Sequence, residues 1–406
     1  MRITQNMLMR NNLNYISNNY ERYGDLLDQI NAQKKITRPS QDPVIAIKGM
    51  SYRSQVVEVE QFERNLSEVH SWMDNADATL SDTTQVLHRI KELIVQASNE
   101  TYTPDQRNGI AKEISELQSH LQSLANTKIN NKYIFNGTNT NSKPVDISNI
   151  GFNIADLNGM DAQAQKDLVV NYQGKQFTFD NAPAPIINGP TTDGDGVTTE
   201  ETTRTYVFKN GNEEITLTHK LTESTKAGVT STKEEESVSY NKDSSDPTKV
   251  VSITSGDIVI SNKNAISTNQ QDLEIEVMKG ININVNIRPQ NVFSAEMFKD
   301  TADLIKALKE PNQKATDINA FLSKFEKHFD NVTAERSDLG ARFNRVELIE
   351  ERLGQQDLIA RKTMSENEDI DFEKAVTDLK IQEMIHRSAL AVGARIIQPT
   401  LMDFLR

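Results

Sequence analysis

MLMRNNLNYISNNYERYGDLLDQINAQ, residues 7–33, carries Met9, Leu13, Ile16, Tyr20, Tyr23, Leu27 and Ile30 in alternating steps of four and three. That spacing predicts a helix with one narrow apolar seam, which must be buried against another helix. At the other end of the chain, residues 381–396 read IQEMIHRSALAVGARI and carry a second stripe, Ile381, Ile385, Ala389, Val392 and Ile396. Terminal segments are usually frayed and dispensable, so apolar stripes at both extremes mark the termini as working parts. The work they predict is assembly.

Composition narrows the class. The 406 residues are 36% apolar and 6% aromatic, with a mean hydropathy of -0.58, which is lean for one compact core and suits an elongated molecule of several parts. A formal charge of -13 and a pI near 5.1 argue against nucleic acid or anionic membrane as a partner, because no basic block is present to displace counterions from phosphates. There is no cysteine, so disulfides, thiol catalysis and thiolate metal sites are excluded. The opening MRITQNMLMRNN lacks the apolar core of a secretory signal peptide, and no run reaches the length of a membrane span, so membrane insertion is not expected.

Capping signals divide the helical arms. TRPSQDP, residues 37–43, ends the first helix, with Asp42 as N-cap and Pro43 at the first position of the next. Residues 44–96 contain no proline and keep the four-three alternation through Met73, Ala76, Leu80, Thr83, Leu87, Ile90, Ile94 and Ala97; at ~1.5 Å per residue this helix would be ~80 Å long. Thr103, Pro104 and Gln106 spell a capping box before a stripe of Ile110, Ile114, Leu117, Leu121 and Leu124. In the second arm, Ser294 caps a helix through Leu308. A longer one over 317–364 carries Ile318, Phe321, Phe325, Val332, Leu339, Val346, Ile349 and Leu353. Glu335 and Arg342 interrupt that seam, either as register devices or because the stripe faces solvent there. The last helix is capped by Ser365 with Glu368, or by Asp371, and ends before Pro399.

Between the arms the period changes to two. Ile215, Leu217 and Leu221, then Leu273, Ile275 and Val277, then Ile281, Ile283, Val285 and Ile287 read as half-buried strands, with turns at Asn210-Gly211, Ser255-Gly256 and Lys279-Gly280. The Thr/Ser-rich tracts 183–203 and 233–246 read as long loops. The expected fold is a mainly α rod of long coiled-coil-like helices from both arms with an inserted antiparallel β domain. Its parts are an assembly helix (1–38), the first rod arm (39–140), the β domain (141–290), the second rod arm (291–366) and a C-terminal assembly helix (367–406).

Chemistry is not legible. The six histidines, at 70, 88, 120, 219, 328 and 386, form no metal-binding pair and read as solvated. The DGDG run at 193–196 lacks the third ligand and the glutamate of a calcium loop, and reads as a flexible loop. Trp72 reads as a packing residue on the long helix. No catalytic residue, cofactor or metal site is expected, and the chain does not read as an enzyme.

Five stretches carry a resemblance: KKITRPSQDP (34–43), QASNETYTPDQRNGIAKEISEL (96–117), NKYIFNGT (131–138), AERSDLGARFNRVE (334–347) and SALAVGARIIQPTLMDFL (388–405). In this order and spacing they resemble the bacterial flagellin family over both arms, and among its members the subunits of the junction between hook and filament. The resemblance implies terminal segments that are mobile in the free subunit and turn helical on assembly, with the β domain facing outward. It also implies partners: hook-associated protein 1, flagellin, further copies of this chain, and a cytoplasmic chaperone of the flagellar type III export machinery that holds residues 379–405, including Leu379, Leu401, Phe404 and Leu405. Localisation in the extracellular flagellum follows from the same resemblance. Flagellin itself, the filament subunit, is the nearest alternative, opposed by RPSQDP and YIFNGT; an extracellular enzyme or binding activity in the middle domain is the other.

Overall fold

The computed structural model describes residues 5–173, 175–192, 197–226, 229–244, 246–311 and 313–397. In chain order these form α1 (Gln5–Ala32), α2 (Pro43–Ala97), α3 (Pro104–Ala125), β1 (Lys128–Ile129), β2 (Lys132–Tyr133), α4 (Ala162–Lys166), β3 (Leu168–Tyr172), β4 (Lys175–Asn181), β5 (Ile186–Thr192), β6 (Thr198–Asn210), β7 (Glu213–Lys226) and β8 (Val229–Asn241). There follow β9 (Val250–Ile253), β10 (Val259–Asn262), β11 (Glu274–Met278), β12 (Ile281–Asn284), α5 (Pro289–Val292), α6 (Ala295–Lys309), α7 (Ala315–Glu368) and α8 (Phe372–Ile397). Two compact units emerge: Met1–Leu66 with Val277–Gly280 and Glu347–Arg406, and Ser67–Glu276 with Ile281–Val346.

The helix starts follow their caps. Asp42 Oδ1 accepts from the backbone N–H of Val44 (2.9 Å) and Ile45 (3.1 Å) at the head of α2. Gln106 Oε1 accepts from Thr103 N–H (3.0 Å) before α3, and Ser294 Oγ accepts from Met297 N–H (3.2 Å) before α6. At the last joint, α7 runs through Ser365 to Glu368, and Asp371 caps α8 by accepting from Lys374 N–H (3.1 Å). Ser365 is therefore not a cap; its hydroxyl donates to Asp369 instead (2.5 Å).

In the second unit, Met73, Leu80, Thr83, Leu87, Ile90 and Ile94 of α2 are fully buried, as are Phe325, Val332 and Val346 of α7. The two helices run antiparallel here, with Arg336 paired to Asp77 (2.7 Å) and Lys91 to Glu326 (3.8 Å). Trp72 is buried. Glu335 and Arg342 are half-buried fasteners: Glu335 accepts from Asn291 Nδ2 (2.8 Å), and Arg342 Nη1 donates to the Asn286 carbonyl (3.1 Å). α3 packs on α6, and the α6 residue Asp300 is buried against α7, accepting from Lys324 Nζ (2.7 Å) and bonding His328 Nε2 (2.8 Å). Burial alone would push the Asp300 carboxyl up, but the bonds from His328 and Lys324 outweigh it and hold it below the ordinary range.

The strands form an eight-stranded antiparallel sheet in the order β10-β3-β4-β6-β7-β8-β9, with β5 added to the far half of β6. Its core face sets Tyr206, Leu217 and Val238 in one cross-strand row and Phe208, Ile215 and Tyr240 in the next, packed with Phe177, Ile154 and Leu157. Gly211, with φ of +60°, turns the β6–β7 hairpin. Both tracts expected to be loops are largely strand: β5 and β6 take most of 183–203, and β8 takes 233–241. Threonine is β-branched and suits the sheet, but with polar residues on both faces it leaves no apolar alternation to read. The DGDG run lies outside the described residues.

Two histidines were misread. His219 is 3% exposed and His328 7%; His219 Nδ1 meets Asn158 Nδ2 (3.1 Å), whose Oδ1 accepts from Tyr206 (3.0 Å). Each finds its polar partner on a remote element, Asn158 or Asp300, so burial costs less than local sequence suggests.

The chain enters the sheet region at Val145 and returns at Ile266, which form an antiparallel bridge. Asp146 N–H donates to the Ala265 carbonyl (2.8 Å) and Ser267 N–H to the Pro144 carbonyl (2.8 Å). Asn126, at the end of α3, brackets this neck by donating to the Val145 carbonyl (2.9 Å). The NKYIFNGT stretch turns beside it: Gly137 has φ of +53°, and any Cβ there would strike the Gln271 carbonyl oxygen.

Candidate assembly surface

In the first unit, α1 and α8 pack along each other. Gly393 faces α1: a Cβ there would make ordinary contact with Ile16 Cδ1 (3.4 Å) and Asn12 Oδ1 (3.6 Å). Gln382 Nε2 reaches Asn19 Oδ1 (3.5 Å), the rings of Tyr20 and His386 lie 5.7 Å apart, and Ala375 is buried. The seam that α8 uses within the chain therefore runs through Ala375, Leu379, Gln382, His386, Ala389 and Gly393, in steps of four and three.

This intrachain seam only partly coincides with the stripes read from the sequence. In α1, Ile16, Tyr23, Leu27 and Ile30 are half-buried, while Met9, Leu13 and Tyr20 are 38%, 49% and 67% exposed. In α8, Leu379 and Ala389 are half-buried, while Ile381, Ile385 and Val392 are 45%, 44% and 53% exposed. The side chain of Ile396, and Leu401, Phe404 and Leu405 entirely, lie outside the described residues. Leu379 and Ala389 of the inner seam are named in the sequence reading, but the seam as a whole is not legible there because glycine, glutamine and histidine do not register as apolar; Ala375 and Gly393, small residues on the same face, were the available signal.

Part of what the intrachain seam leaves open is gathered in one place. Tyr15, Met384, Ile385, Ser388 and Val392 border an open, mainly apolar hollow of about 750 Å³ between α1 and α8. Contiguous exposed apolar surface on a chain this polar marks a surface made to be covered.

The helix pair is rooted in a clasp. Lys34 and Asp369 form an antiparallel bridge, with Lys35 N–H donating to the Glu368 carbonyl (2.7 Å) and Ile370 N–H to the Gln33 carbonyl (3.2 Å). The Glu368 side chain, 6% exposed, accepts from Arg53 Nη2 of α2 (2.7 Å) and meets Lys34 Nζ (3.4 Å). Arg53, ahead of Lys34, holds the Glu368 carboxyl below its ordinary range, and Lys34 does the same for Asp369. Among the described residues no group of three His, Cys, Asp or Glu could hold a metal ion, and no helix is long and apolar enough to cross a membrane.

Comparison with known proteins bears on this surface. Residues 3–140 match the family model described as the bacterial flagellin N-terminal helical region, and residues 322–405 match the C-terminal helical region. A flagellar hook-associated protein 3 of Salmonella typhimurium is 26% identical over 179 residues, 44% of this chain and 56% of that protein. The chain thus spans about half the length of the curated hook-associated relatives it matches. A flagellin of Clostridium tyrobutyricum is 22% identical over 406 residues, 98% of this chain and all of that one. A solved structure of a Vibrio parahaemolyticus protein, described as a flagellar hook-associated protein, is similar in fold with a TM-score of 0.50, at 12% identity, over 81% of this chain and all of that one. With the N-terminal and C-terminal regions both matched, in order and over more than half of its residues, the chain belongs to the bacterial flagellin family.

Proposed function

We propose that this chain is a structural subunit of the flagellum that joins the hook to the filament by helical stacking, in contact with hook-associated protein 1, flagellin and further copies of itself. The observation that carries the reading is the set of terminal apolar residues left uncovered within the chain: Leu13 at 49%, Ile385 at 44% and Val392 at 53% exposure. A single chain gains nothing from such residues in water, whereas stacked subunits bury them at about 25 cal/mol per Å². Head-to-tail stacking makes heterologous interfaces of the open kind a helical lattice needs. The hook-associated relatives support the junction, and RPSQDP and YIFNGT favour it over the filament. Export through the flagellum's own type III machinery, with a chaperone holding 379–405, belongs to the same reading.

The flagellin relative that spans the whole chain favours a second reading, the filament subunit itself. Deleting the gene separates the two. Bare hooks with flagellin shed into the medium support the junction; hooks with no shed flagellin support the filament subunit; intact filaments refute both.

A further inference from the structure

The strongest unexplained cluster in the molecule is the clasp around Glu368. A nearly buried carboxylate meets two cations from two different segments, Arg53 of α2 and Lys34 just beyond α1, at the edge of a hollow of about 360 Å³ that Ile36, Pro43 and Met50 also line. Its Oε1 atom has no hydrogen-bond partner among the described residues and lies against Gly49, where any added Cβ would collide with it. Gly49 is thus the clearance that α2 keeps for this side chain. Asn367, one residue earlier, donates its Nδ2 to the Ile45 carbonyl at the first turn of α2 (3.0 Å), and Gln33 is held at φ of +54°. A non-glycine residue in that region persists only where its surroundings impose it.

The position of the cluster in the chain gives it a role. α1 ends at Ala32 and α8 begins at Phe372, so both terminal helices leave from the two strands of the clasp. Each helix keeps one face half-covered by the other and the opposite face exposed. A helix so placed is marginal alone, because its nucleation is costly and its stability comes from packing. We propose that the Glu368 clasp is a latch that makes α1 and α8 order and release as one unit rather than as two independent tails. With Lys34 and Arg53 engaged, the exit of α1 is fixed beside the entry of α8, and the loop-closure cost of bringing the two helices together is already met. With the carboxylate neutralised, Arg53 loses its charged partner and Lys34 is left with Asp369 alone (2.7 Å), so the clasp is weakened and neither helix is held as firmly beside its companion.

The test uses the full chain and hydrogen exchange read by mass spectrometry, across a titration with trimethylamine N-oxide. That osmolyte strengthens burial and, being uncharged, does not screen ion pairs. In the unaltered chain, residues 5–32 and 372–394 should gain protection over the same range of osmolyte. Glu368→Gln and Lys34→Met should each move both ranges upward together, so that at the original midpoint both segments exchange about tenfold faster while residues 213–226 of the sheet are unchanged. Lys34→Met is the decisive variant, because Lys34 lies outside α8 and its effect there must pass through the clasp. Two segments ordering over different ranges in the unaltered chain, a variant that moves one segment only, or variants that move neither would each overturn the latch. The readout is order within one chain, so the outcome is independent of where the subunit sits in the flagellum.

Discussion

Asp300, His328 and Lys324 illustrate how one buried carboxylate is kept. The Asp300 carboxyl lies below the ordinary aspartate value of 3.8 in the folded chain, so its contribution is fully present above that value and is lost as pH falls through the lowered folded value. Asp300→Asn should cost about 1–3 kcal/mol at neutral pH and flatten the acid limb of the stability curve, as urea melts at pH 7 and in the acid range would register. Gly137 makes a harder demand: its left-handed φ and its closeness to the Gln271 carbonyl leave no room for a methyl group. Gly137→Ala should therefore destabilise by about 1–3 kcal/mol, read as a lower urea midpoint with unchanged slope. Neither demand was visible beforehand. NGT can be quoted as a motif, but what makes its glycine obligatory is a carbonyl more than a hundred residues away, and the partners of His219 and His328 lie 61 and 28 residues away.

The helices were legible because each carries its own boundaries. Asp42 with Pro43, Thr103 with Gln106, Ser294 and Asp371 end or begin an element through bonds within four residues, and local sequence contains such bonds in full. The strands of the sheet were legible only where one face is apolar, as in Ile215 and Leu217. β5 and most of β8 were lost because their pairing partners, not their own residues, make them strands. Pro190 within β5, Pro183 and Pro185 just before it, and the acidic run Glu234–Glu235–Glu236 on β8 mark the two outer strands of that far half, blunting edges that would otherwise pair with other chains. The stripes on α1 and α8 yield the prediction proper to this scale. Leu13→Asp or Ile385→Asp should leave the free chain's melting unchanged within about 0.5 kcal/mol, since both positions are half in solvent. Either should block incorporation into flagella, because stacking would bury an unpaired charge; normal filament growth from either variant would remove the residue from the assembly surface.

For the chain as a whole, the division into helical arms and a strand-bearing insertion was legible from the change of period alone, whereas the place where the insertion is attached was not. It is attached at Val145 and Ile266, and Asn126 ties that point to the end of α3. Excising residues 147–264 and joining Asp146 to Ala265 through Asn-Gly should leave α3 packed on α6, with a thermal midpoint for the helices within about 5 °C of the parent; collapse of the helical signal would mean that the sheet supports the helices.

The same neck has a mechanical meaning. Its two strands leave side by side, so a drag force on the sheet does not load the Asp146–Ala265 and Ser267–Pro144 hydrogen bonds in parallel. Both strands are drawn the same way, so these bonds lie across the load, and a pull between the sheet and the helices is shared by two covalent chains held side by side.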